Sequence, residues 1–383
     1  MRTTYANAVD SMVLDAVALV DDLVSQALLA SASDLHLEPG AGGLAVRLRL
    51  DGVLNTIDHI PASIADNVIA RLKVMGELLT YRTDIPQEGS FSFKGLGDLK
   101  HDVRLAVFPT IHGERAVLRF FCDDGQPRSI DNLGLSEATV ASLKNASEQT
   151  SGLILVTGPA GAGKSTTLYA LARHMLDATP GRSIVSLEDP VEQRVEGLTQ
   201  IQVQPFGELN YARAMRSLLR QDVEVLFVGE IRDAESAHIV IEAALTGHLV
   251  LSTLHSGDPA ETIARLIEMG IAPYQLTSTL RLINSQRLLR KTCPDCCGQG
   301  CECCFATGYK YRTACGQAAV MNDHLRQAII DHTPTGNLRT LVNENHPSLQ
   351  ECAMHLVQMK QTTTDEVRRV LGTDDGSGRT DTE

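Results

Sequence analysis

The sequence lacks a hydrophobic run long enough to cross a membrane. No stretch of its 383 residues approaches the ~18 apolar residues of a spanning helix, and no charged and then apolar leader opens the chain. It also lacks an excess of positive charge, since 34 Lys and Arg residues face 47 Asp and Glu residues and the net charge is −13. That balance disfavours a whole-surface attraction to nucleic acid, although it permits local basic patches. These absences predict a protein that is made and kept in the cytoplasm.

A phosphate-binding loop is the clearest feature that is present. The stretch LILVTGPAGAGKSTTLYALARHM, residues 153–175, reads as an apolar strand, a glycine-rich turn and a helix, and its spacing matches the nucleotide-binding pattern in full. Backbone N–H groups would converge on the phosphates of a nucleoside triphosphate, Lys164 would neutralise the β and γ oxygens, and the Ser165 hydroxyl would bind Mg²⁺. The residues expected to contact the nucleotide are Gly158, Pro159, Ala160, Gly161, Ala162, Gly163, Lys164, Ser165 and Thr166.

The length predicts two or three domains, and a hydrophobic content of 43% is typical of a globular protein. Two apolar-striped helices, 9–30 and 64–79, and short alternating strands predict a small α+β (PAS-like) domain at the N-terminus. From residue 136, strands alternate with helices, which predicts a parallel sheet and a RecA-like P-loop NTPase core of the α/β class. The expected order is an α+β domain 1–121, a linker 122–135, the ATPase core 136–290, a cysteine-rich insert 291–312, a helical region 313–372 and a disordered tail 373–383.

Acidic residues follow two strands of the predicted parallel sheet, at the edge where ligands bind. SIVSLEDP places Glu188 and Asp189 there, and VLFVGE places Glu230 where a P-loop protein normally carries its Mg²⁺-associated acid. One of the two glutamates is expected to polarise the attacking water, and the sequence does not decide which. For Asp189 and Asp233, capping of the next helix is an equally good interpretation.

Two histidines flank a further buried strand in TGHLVLSTLHS. His255 follows this strand, which must lie next to the strand that leads into the phosphate-binding loop, and we expect it to sense the γ-phosphate. His248 precedes the strand, and for it a structural role competes with a catalytic one.

Six of the nine cysteines lie in CPDCCGQGCECC, residues 293–304. In a reducing compartment this density predicts a metal site rather than disulfides. Two CxxC pairs are typical of tetrahedral Zn²⁺, and the predicted ligands are Cys293, Cys296, Cys301 and Cys304. Only residues 297–300 separate the pairs, so the chelate is tight and Cys297 or Cys303 can replace a nominal ligand. Unliganded thiols and a nucleic-acid-binding zinc ribbon are the alternatives, and the acidic charge disfavours the ribbon.

The motifs together resemble those of the type II secretion and type IV pilus assembly ATPases, the GspE/PilB-type family. They occur in the family's order as SDLHLEP, VRLRLDGVL, IPQEGSF, DVRLAVFPTIHGERAVLRF, the P-loop, LEDPVE, LLRQDVEVLFVGEIRD, TGHLVLSTLHS, INSQRLLRKTCPDC and TGYKYR. The chain departs from the usual pattern at Val223, Glu224, Ser90, Tyr311 and Gln317. Its P-loop, both acidic strands and His255 are intact, so an active ATPase is expected.

The resemblance also implies partners and further site residues. Arg104 in DVRLAVFPT and Arg119 in RAVLRF match arginines that reach the nucleotide's phosphates when the domains close, a role that suits a guanidinium. The family works as homo-hexamers that couple ATP hydrolysis to domain rotation against an inner-membrane platform protein, and so drive pilin polymerisation. We therefore expect peripheral attachment to the inner membrane through protein partners and no sequence-specific nucleic acid. Many members carry a further leading domain that docks on an inner-membrane partner, and this sequence begins almost directly at the small N-terminal domain. We therefore expect direct engagement of the platform protein, or a partner that cannot be inferred from the sequence.

Several rival functions stay open. A pilus-retraction or DNA-uptake motor shares the core, but retraction motors generally lack the tetracysteine insert and the Glu-Pro ending of SDLHLEP. A DNA-translocating RecA-like ATPase would show hydrolysis stimulated by DNA. A nucleotide-gated scaffold would bind ATP with little turnover.

Overall fold

The computed structural model describes residues 15–94, 100–120, 129–203 and 209–372. The chain divides into two compact units, Met1–Asp124 and Gly125–Glu383. Within the described residues, no helix has both the length and the apolar character that crossing a membrane requires. Of the predicted features, residues 9–14 of the first helix, residues 122–128 of the linker and the tail 373–383 lie outside the described residues.

The first unit is a six-stranded antiparallel sheet with two helices, which confirms the predicted α+β class. The strands lie in the order β3-β2-β1-β6-β5-β4. Alternating apolar side chains, such as Val46 and Leu48, are buried on one face because the helices pack there. The elements are α1 (Ala16–Leu29), β1 (Asp34–Gly40), β2 (Gly43–Leu50), β3 (Val53–Pro61), α2 (Ala62–Met75), β4 (Gln87–Lys94), β5 (Lys100–Thr110) and β6 (Gly113–Phe120).

The second unit contains a seven-stranded sheet in the order β13-β12-β7-β11-β10-β8-β9. Its strands are β7 (Gly152–Thr157), β8 (Ile184–Glu188), β9 (Thr199–Gln202), β10 (Val225–Val228), β11 (Leu249–Leu254), β12 (Leu280–Thr292) and β13 (Tyr309–Val320). Its helices are α3 (Glu137–Ser147), α4 (Lys164–Ala178), α5 (Tyr211–Leu218), α6 (Ala234–Leu245), α7 (Pro259–Glu268), α8 (Pro273–Thr279), α9 (Asp323–Ile330), α10 (Thr335–Asn345), α11 (Leu349–Gln358) and α12 (Thr364–Leu371). All pairs except β12–β13 are parallel, which confirms the predicted α/β core.

The central strands are apolar throughout because both faces of the sheet are covered. Leu153 and Leu155 of β7 enter one apolar core, and the alternate residues Ile154 and Val156 enter the other. Because β7, β8, β10 and β11 are parallel, their carboxyl ends all lie at the same edge of the sheet. This edge carries the candidate site.

One expectation is wrong. Residues 313–320, predicted to open a helical region, instead continue β13, which pairs antiparallel with β12 at the edge of the sheet. Residues 313–319 of β13 are all buried, so this stretch lacks the alternation that marks a half-exposed strand. The cysteine-rich segment is thus the connection of a long β-hairpin rather than an insert between a sheet and a helical region.

A buried carboxylate fastens the last helix to this hairpin. Glu366 of α12 accepts hydrogen bonds from Nε and Nη2 of Arg290 at 2.9 and 2.8 Å, and from the backbone N–H of Arg290 at 3.0 Å. Arg369 donates two more, and the Arg290 guanidinium stacks 4.0 Å above the ring of Tyr309. Glu366 is only 1% exposed, and both of its carboxylate oxygens accept hydrogen bonds.

Replacing Arg290 with methionine is expected to lower the free energy of unfolding by about 3 kcal/mol, because it leaves a buried carboxylate short of partners. Arg368→Met on the same helix is the matched control. Its guanidinium is exposed and lies 3.8 Å from Asp365, so its loss should change stability by less than about 0.5 kcal/mol. Urea unfolding of both variants decides the matter, and equal stabilities would refute the assignment.

The same pair makes stability depend on pH in a defined direction. Burial would raise the pKa of Glu366, but hydrogen bonds from Arg369 and Arg290 outweigh burial and hold the pKa below its ordinary value of 4.5. Because the pKa is lowered in the folded state, this stabilisation is complete above the unfolded value and is lost as the pH falls through the folded one. Arg290→Met should weaken the acid sensitivity.

Candidate nucleotide-binding and hydrolysis site

The predicted phosphate-binding loop connects β7 to α4 and borders a cavity of about 420 Å³. Gly158, Gly161 and Gly163 have φ angles of +148°, +74° and +82°, which L side chains rarely adopt, so glycine is required at each of them. Gly163 is the N-cap of α4, and the start of that helix faces the cavity. Seven of the nine predicted loop residues, 160–166, line the cavity. Backbone N–H groups and a helix N-terminus together make a site for phosphate.

Lys164 is buried at the floor of this cavity. Its Nζ donates to the carbonyl oxygens of Gly158 at 2.9 Å and Pro159 at 3.1 Å, which holds the ammonium inside the curve of the loop. Burial lowers the pKa of Lys164, and the charge of Arg287 lowers it further, while Glu230 and Glu192 oppose the shift. The ammonium gains most from an anionic neighbour in such a partly desolvated place, and a triphosphate supplies one.

Glu188 ends β8 and is nearly fully buried among donors. Ser186 Oγ donates to Oε1 at 2.6 Å, Gln200 Nε2 donates to Oε1 at 3.1 Å, and the Tyr169 hydroxyl makes a short hydrogen bond to Oε2. Burial raises the pKa of Tyr169, and the bond to Glu188 raises it further. The carboxylate thus lines the cavity with its oxygens already engaged.

Glu230 follows β10 and lines the same cavity, but its neighbours differ from those of Glu188. Its oxygens lie 3.5 Å from Nε of Arg232 and 3.7 Å from Nε2 of His255, and no hydrogen bond to them is found among the residues that the structure describes. Gly229 precedes it, where many P-loop proteins have aspartate, and a Cβ there would lie 3.3 Å from both the Leu187 carbonyl oxygen and the Tyr211 hydroxyl. The tight packing explains the glycine and leaves Glu230 as the acid available at this strand end.

His255 lies at the cavity and His248 does not. β11 lies next to β7, as predicted, so His255 reaches the cavity and its Nδ1 lies 3.4 Å from Nζ of Lys164. His248, at the opposite end of β11, lies 3.1 Å from the Ala243 carbonyl oxygen through Nδ1, which fits the structural interpretation.

The two aspartates left open by the sequence also differ. Asp233 caps α6 by accepting from Ser236 N at 2.8 Å. Asp189 instead accepts from Nη1 of Arg232 at 3.1 Å at the cavity wall.

Arg232 and Tyr211 are among the residues of the cavity wall that sequence reasoning missed. Arg232 bridges Asp189 and Glu230, and Tyr211 at the start of α5 lies beside them, where burial raises the pKa of Tyr211 to about 12. The proximity of Arg232 to Glu230 in the sequence VGEIRD was a usable signal. No such signal exists in the sequence for Tyr211, because this residue starts α5 and is not close in sequence to Asp189 or Glu230.

The cysteine pairs come together at the tip of the β12–β13 hairpin. The Sγ atoms of Cys293, Cys296, Cys301 and Cys304 lie within 4.8 Å of one another. Three of the separations are 3.9, 3.8 and 3.6 Å, close to the ~3.8 Å edge of a tetrahedron with Zn–S bonds of about 2.3 Å. Backbone N–H groups of Gly300, Cys301 and Gly308 point at these sulfurs. Cys297 and Cys303 are exposed and lie outside this group of four.

Comparisons with known proteins agree on one family. Residues 10–369 match the family described as Type II/IV secretion system protein. The chain is 39% identical to a putative type II secretion system protein E of Escherichia coli, over 92% of this chain and 76% of the relative. It is 35% identical to the type IV pilus assembly ATPase PilB of Thermus thermophilus, over 91% of this chain and 42% of that longer protein. The chain belongs to the type II/IV secretion system protein family.

Solved structures support the fold of this family member. The pilus retraction motor PilT with bound ADP matches with a TM-score of 0.62 at 25% identity, over 93% of this chain and 97% of that one. The Legionella pneumophila ATPase DotB matches with a TM-score of 0.73 at 20% identity, over 94% of this chain and 97% of that one. The RecA-like architecture is thereby confirmed, and the family member is an ATPase, a class of enzyme that implies the use of nucleotide and Mg²⁺.

The two predicted arginines of this ATPase lie side by side on one face of the N-terminal sheet. Arg104 of β5 is the cross-strand neighbour of Arg119 of β6, which in turn pairs with Asp34 of β1. Nε of Arg119 donates to Asp34 at 3.0 Å, and Nε of Arg49 lies 3.2 Å from the same carboxylate. Burial would raise the pKa of Asp34, but hydrogen bonds from Arg119 and Ser33 outweigh it and lower the pKa. Asp34 thus holds Arg119 in place, while the side chain of Arg119 stays 67% exposed.

Proposed function

We propose that this ATPase powers the assembly of a type II secretion pseudopilus or a type IV pilus. The observation that carries the proposal is the cavity in which the phosphate-binding loop, Lys164 and Glu230 converge, in a chain whose assembly and secretion relatives match over more than 90% of its length. The four-cysteine cluster supports assembly over retraction, because the resemblance associates that segment with assembly and secretion motors.

In the proposed reaction the loop amides and Lys164 bind the triphosphate. Ser165 in the first turn of α4 would hold Mg²⁺, which would neutralise charge on the phosphates. Glu230 would accept a proton from the attacking water, and His255, whose Nδ1 lies 3.4 Å from Nζ of Lys164, would sense the γ-phosphate. Glu188 accepts hydrogen bonds from three donors, and its role in this proposal is to form part of the cavity wall near Glu230.

The mechanical step is proposed to use the N-terminal arginines. Arg104 and Arg119 would reach the phosphates from the small domain, and closure of the domains in a homo-hexamer would push on an inner-membrane platform protein. Arg119 suits this role because Asp34 orients it without covering it. The ATPase would be cytoplasmic and peripheral at the inner face of the membrane, with Zn²⁺ held by the four cysteines.

Arg104→Ala and Arg119→Ala should each lower ATP turnover about tenfold, since a lost charge-assisted hydrogen bond costs about 1.5–3 kcal/mol. Arg49→Ala is the matched control, because it removes the other arginine from Asp34 without a predicted phosphate contact. Turnover should be measured at protein concentrations at which native mass spectrometry detects the hexamer. A loss of equal size in Arg49→Ala would assign the effect to the fold of the small domain.

Deletion of the gene in its own bacterium tests the direction of the motor. An assembly motor predicts loss of pili or of a secreted protein, restored by the wild type and not by Glu230→Gln. Excess pili in the deletion strain would indicate retraction instead. Hydrolysis stimulated by DNA, with no surface phenotype, would indicate a DNA-translocating enzyme.

A further inference from the structure

Gln286 lies directly behind the phosphate-binding loop, on the part of β12 that extends past the end of β7. Its side chain is completely buried. Nε2 donates to the carbonyl oxygen of Ala162 in the loop at 2.7 Å. Oε1 accepts from the hydroxyl of Thr167 in α4 and from Nδ2 of Asn284, both at 3.0 Å. One side-chain amide therefore ties the loop to the helix that follows it.

Gln286 also packs against Gly158 and Gly163, the glycines at the two ends of the loop. A Cβ on Gly158 would lie 2.5 Å from the carbonyl oxygen of Gln286, and a Cβ on Gly163 would lie 3.3 Å from Nε2 of Gln286. The register explains the proximity, because Ser285 pairs with Thr157, the last residue of β7. Beyond Ser285, β12 stays paired with β13 on one side, and its other side runs alongside the loop because β7 has ended.

We propose that Gln286 is a positioning residue of the ATPase site, which sets the orientation of the loop's peptide groups toward the phosphates. The carbonyl of Ala162 and the N–H of Gly163 belong to one planar trans peptide, so they point in opposite directions. A hydrogen bond that holds the carbonyl against Gln286 therefore aims the N–H away from β12. Without the donor, this buried carbonyl lacks a partner at a cost of about 1–3 kcal/mol, and rotation of the peptide to find one turns the N–H away from the phosphates.

This inference rests on nucleotide binding at the loop, and substitution by glutamate tests it through pH. An ionised Gln286→Glu side chain presents only acceptors to the Ala162 carbonyl, whereas the protonated acid can donate to it and still accept from Thr167. Burial raises the pKa of such a carboxyl, so its protonation falls in a range accessible to binding measurements. Restored binding at lower pH reports the donor itself, which a general loss of packing does not.

Two further variants separate positioning from stability. Gln286→Met keeps the length of the side chain and removes both hydrogen-bonding groups. Gln317→Glu is the matched control, because Gln317 is a buried glutamine of the neighbouring strand β13 whose amide donates to Asn343 at 2.8 Å, away from the loop. Both substitutions to glutamate bury a carboxyl in the same sheet.

The experiment measures the Kd of a fluorescent ATP analogue for the wild type and the three variants at pH 8 and pH 6. At pH 8 we expect Gln286→Glu and Gln286→Met to bind about tenfold more weakly than the wild type, and Gln317→Glu to bind within about twofold of it. At pH 6, Gln286→Glu should recover several-fold relative to the wild type and Gln286→Met should not.

Wild-type affinity in either Gln286 variant, or a loss in Gln286→Glu that is independent of pH and matched by Gln317→Glu, overturns the proposal. A Gln286→Glu chain that fails to fold at pH 8 leaves Gln286→Met as the deciding variant. Failure of the wild type to bind the analogue would instead refute nucleotide binding at the loop, and so is distinct from failure of this inference.

Discussion

Replacing Glu230 with glutamine is expected to lower the ATP turnover number by about 10²- to 10³-fold and to leave the affinity for ATP within about threefold of the wild type. Glutamine keeps the size of the side chain but cannot take the proton of the attacking water. Among the described residues, no donor binds the Glu230 oxygens at hydrogen-bonding distance, so both are available to a water molecule. The measurements are steady-state phosphate release and equilibrium binding of an ATP analogue.

Glu188→Gln is the matched comparison, because Glu188 is the other glutamate at the same edge of the sheet. Its oxygens already accept from Ser186, Gln200 and Tyr169, so the amide would disrupt this buried network. We therefore expect Glu188→Gln to lower the free energy of unfolding by about 1–3 kcal/mol, with a smaller loss of turnover than Glu230→Gln. Lys164→Ala should instead lose ATP binding, which separates binding from the chemical step.

The reverse ranking would assign the role of general base to Glu188. Such a result would mean that the hydrogen bonds around Glu188 are exchanged when nucleotide binds. Equal and negligible turnover in the wild type and all three variants would favour the nucleotide-gated scaffold, although the family of this chain consists of ATPases.

The sequence predicted the parallel core because the residues that form it interact locally or repeat regularly. Glycines 158, 161 and 163 have φ angles that few other residues adopt, so the loop is recognisable from a short stretch. The different surroundings of Glu188 and Glu230 were not predictable, because the partners of Glu188 include Tyr169 and Gln200, which lie in other elements. The strand at 313–320 was missed because residues 313–319 are all buried and so lack the alternation of polar and apolar residues that marks a half-exposed strand.

Loss of the metal is expected to have the largest effect on stability. The four cysteine sulfurs lie within 4.8 Å of one another between the end of β12 and the start of β13, so a bound Zn²⁺ would close the hairpin. Zinc contributes about 10–16 kcal/mol to the folding of small zinc-binding peptides, and here we expect on the order of 5 kcal/mol or more for the hairpin tip. Chelation should therefore expose residues 293–308 to hydrogen exchange.

Cys304→Ser should abolish a zinc content of about one ion per chain, because it removes a buried ligand that also accepts from the backbone of Cys301 and Gly308. Cys303→Ser, one residue away and exposed, is the matched control and should retain the ion. Because β13 continues from the hairpin tip to Arg312, which lines the nucleotide cavity, Cys304→Ser should also weaken ATP binding, and Cys303→Ser should not. Equal zinc content in the two variants, measured by mass spectrometry of the metal, would show that these four thiols do not form the site.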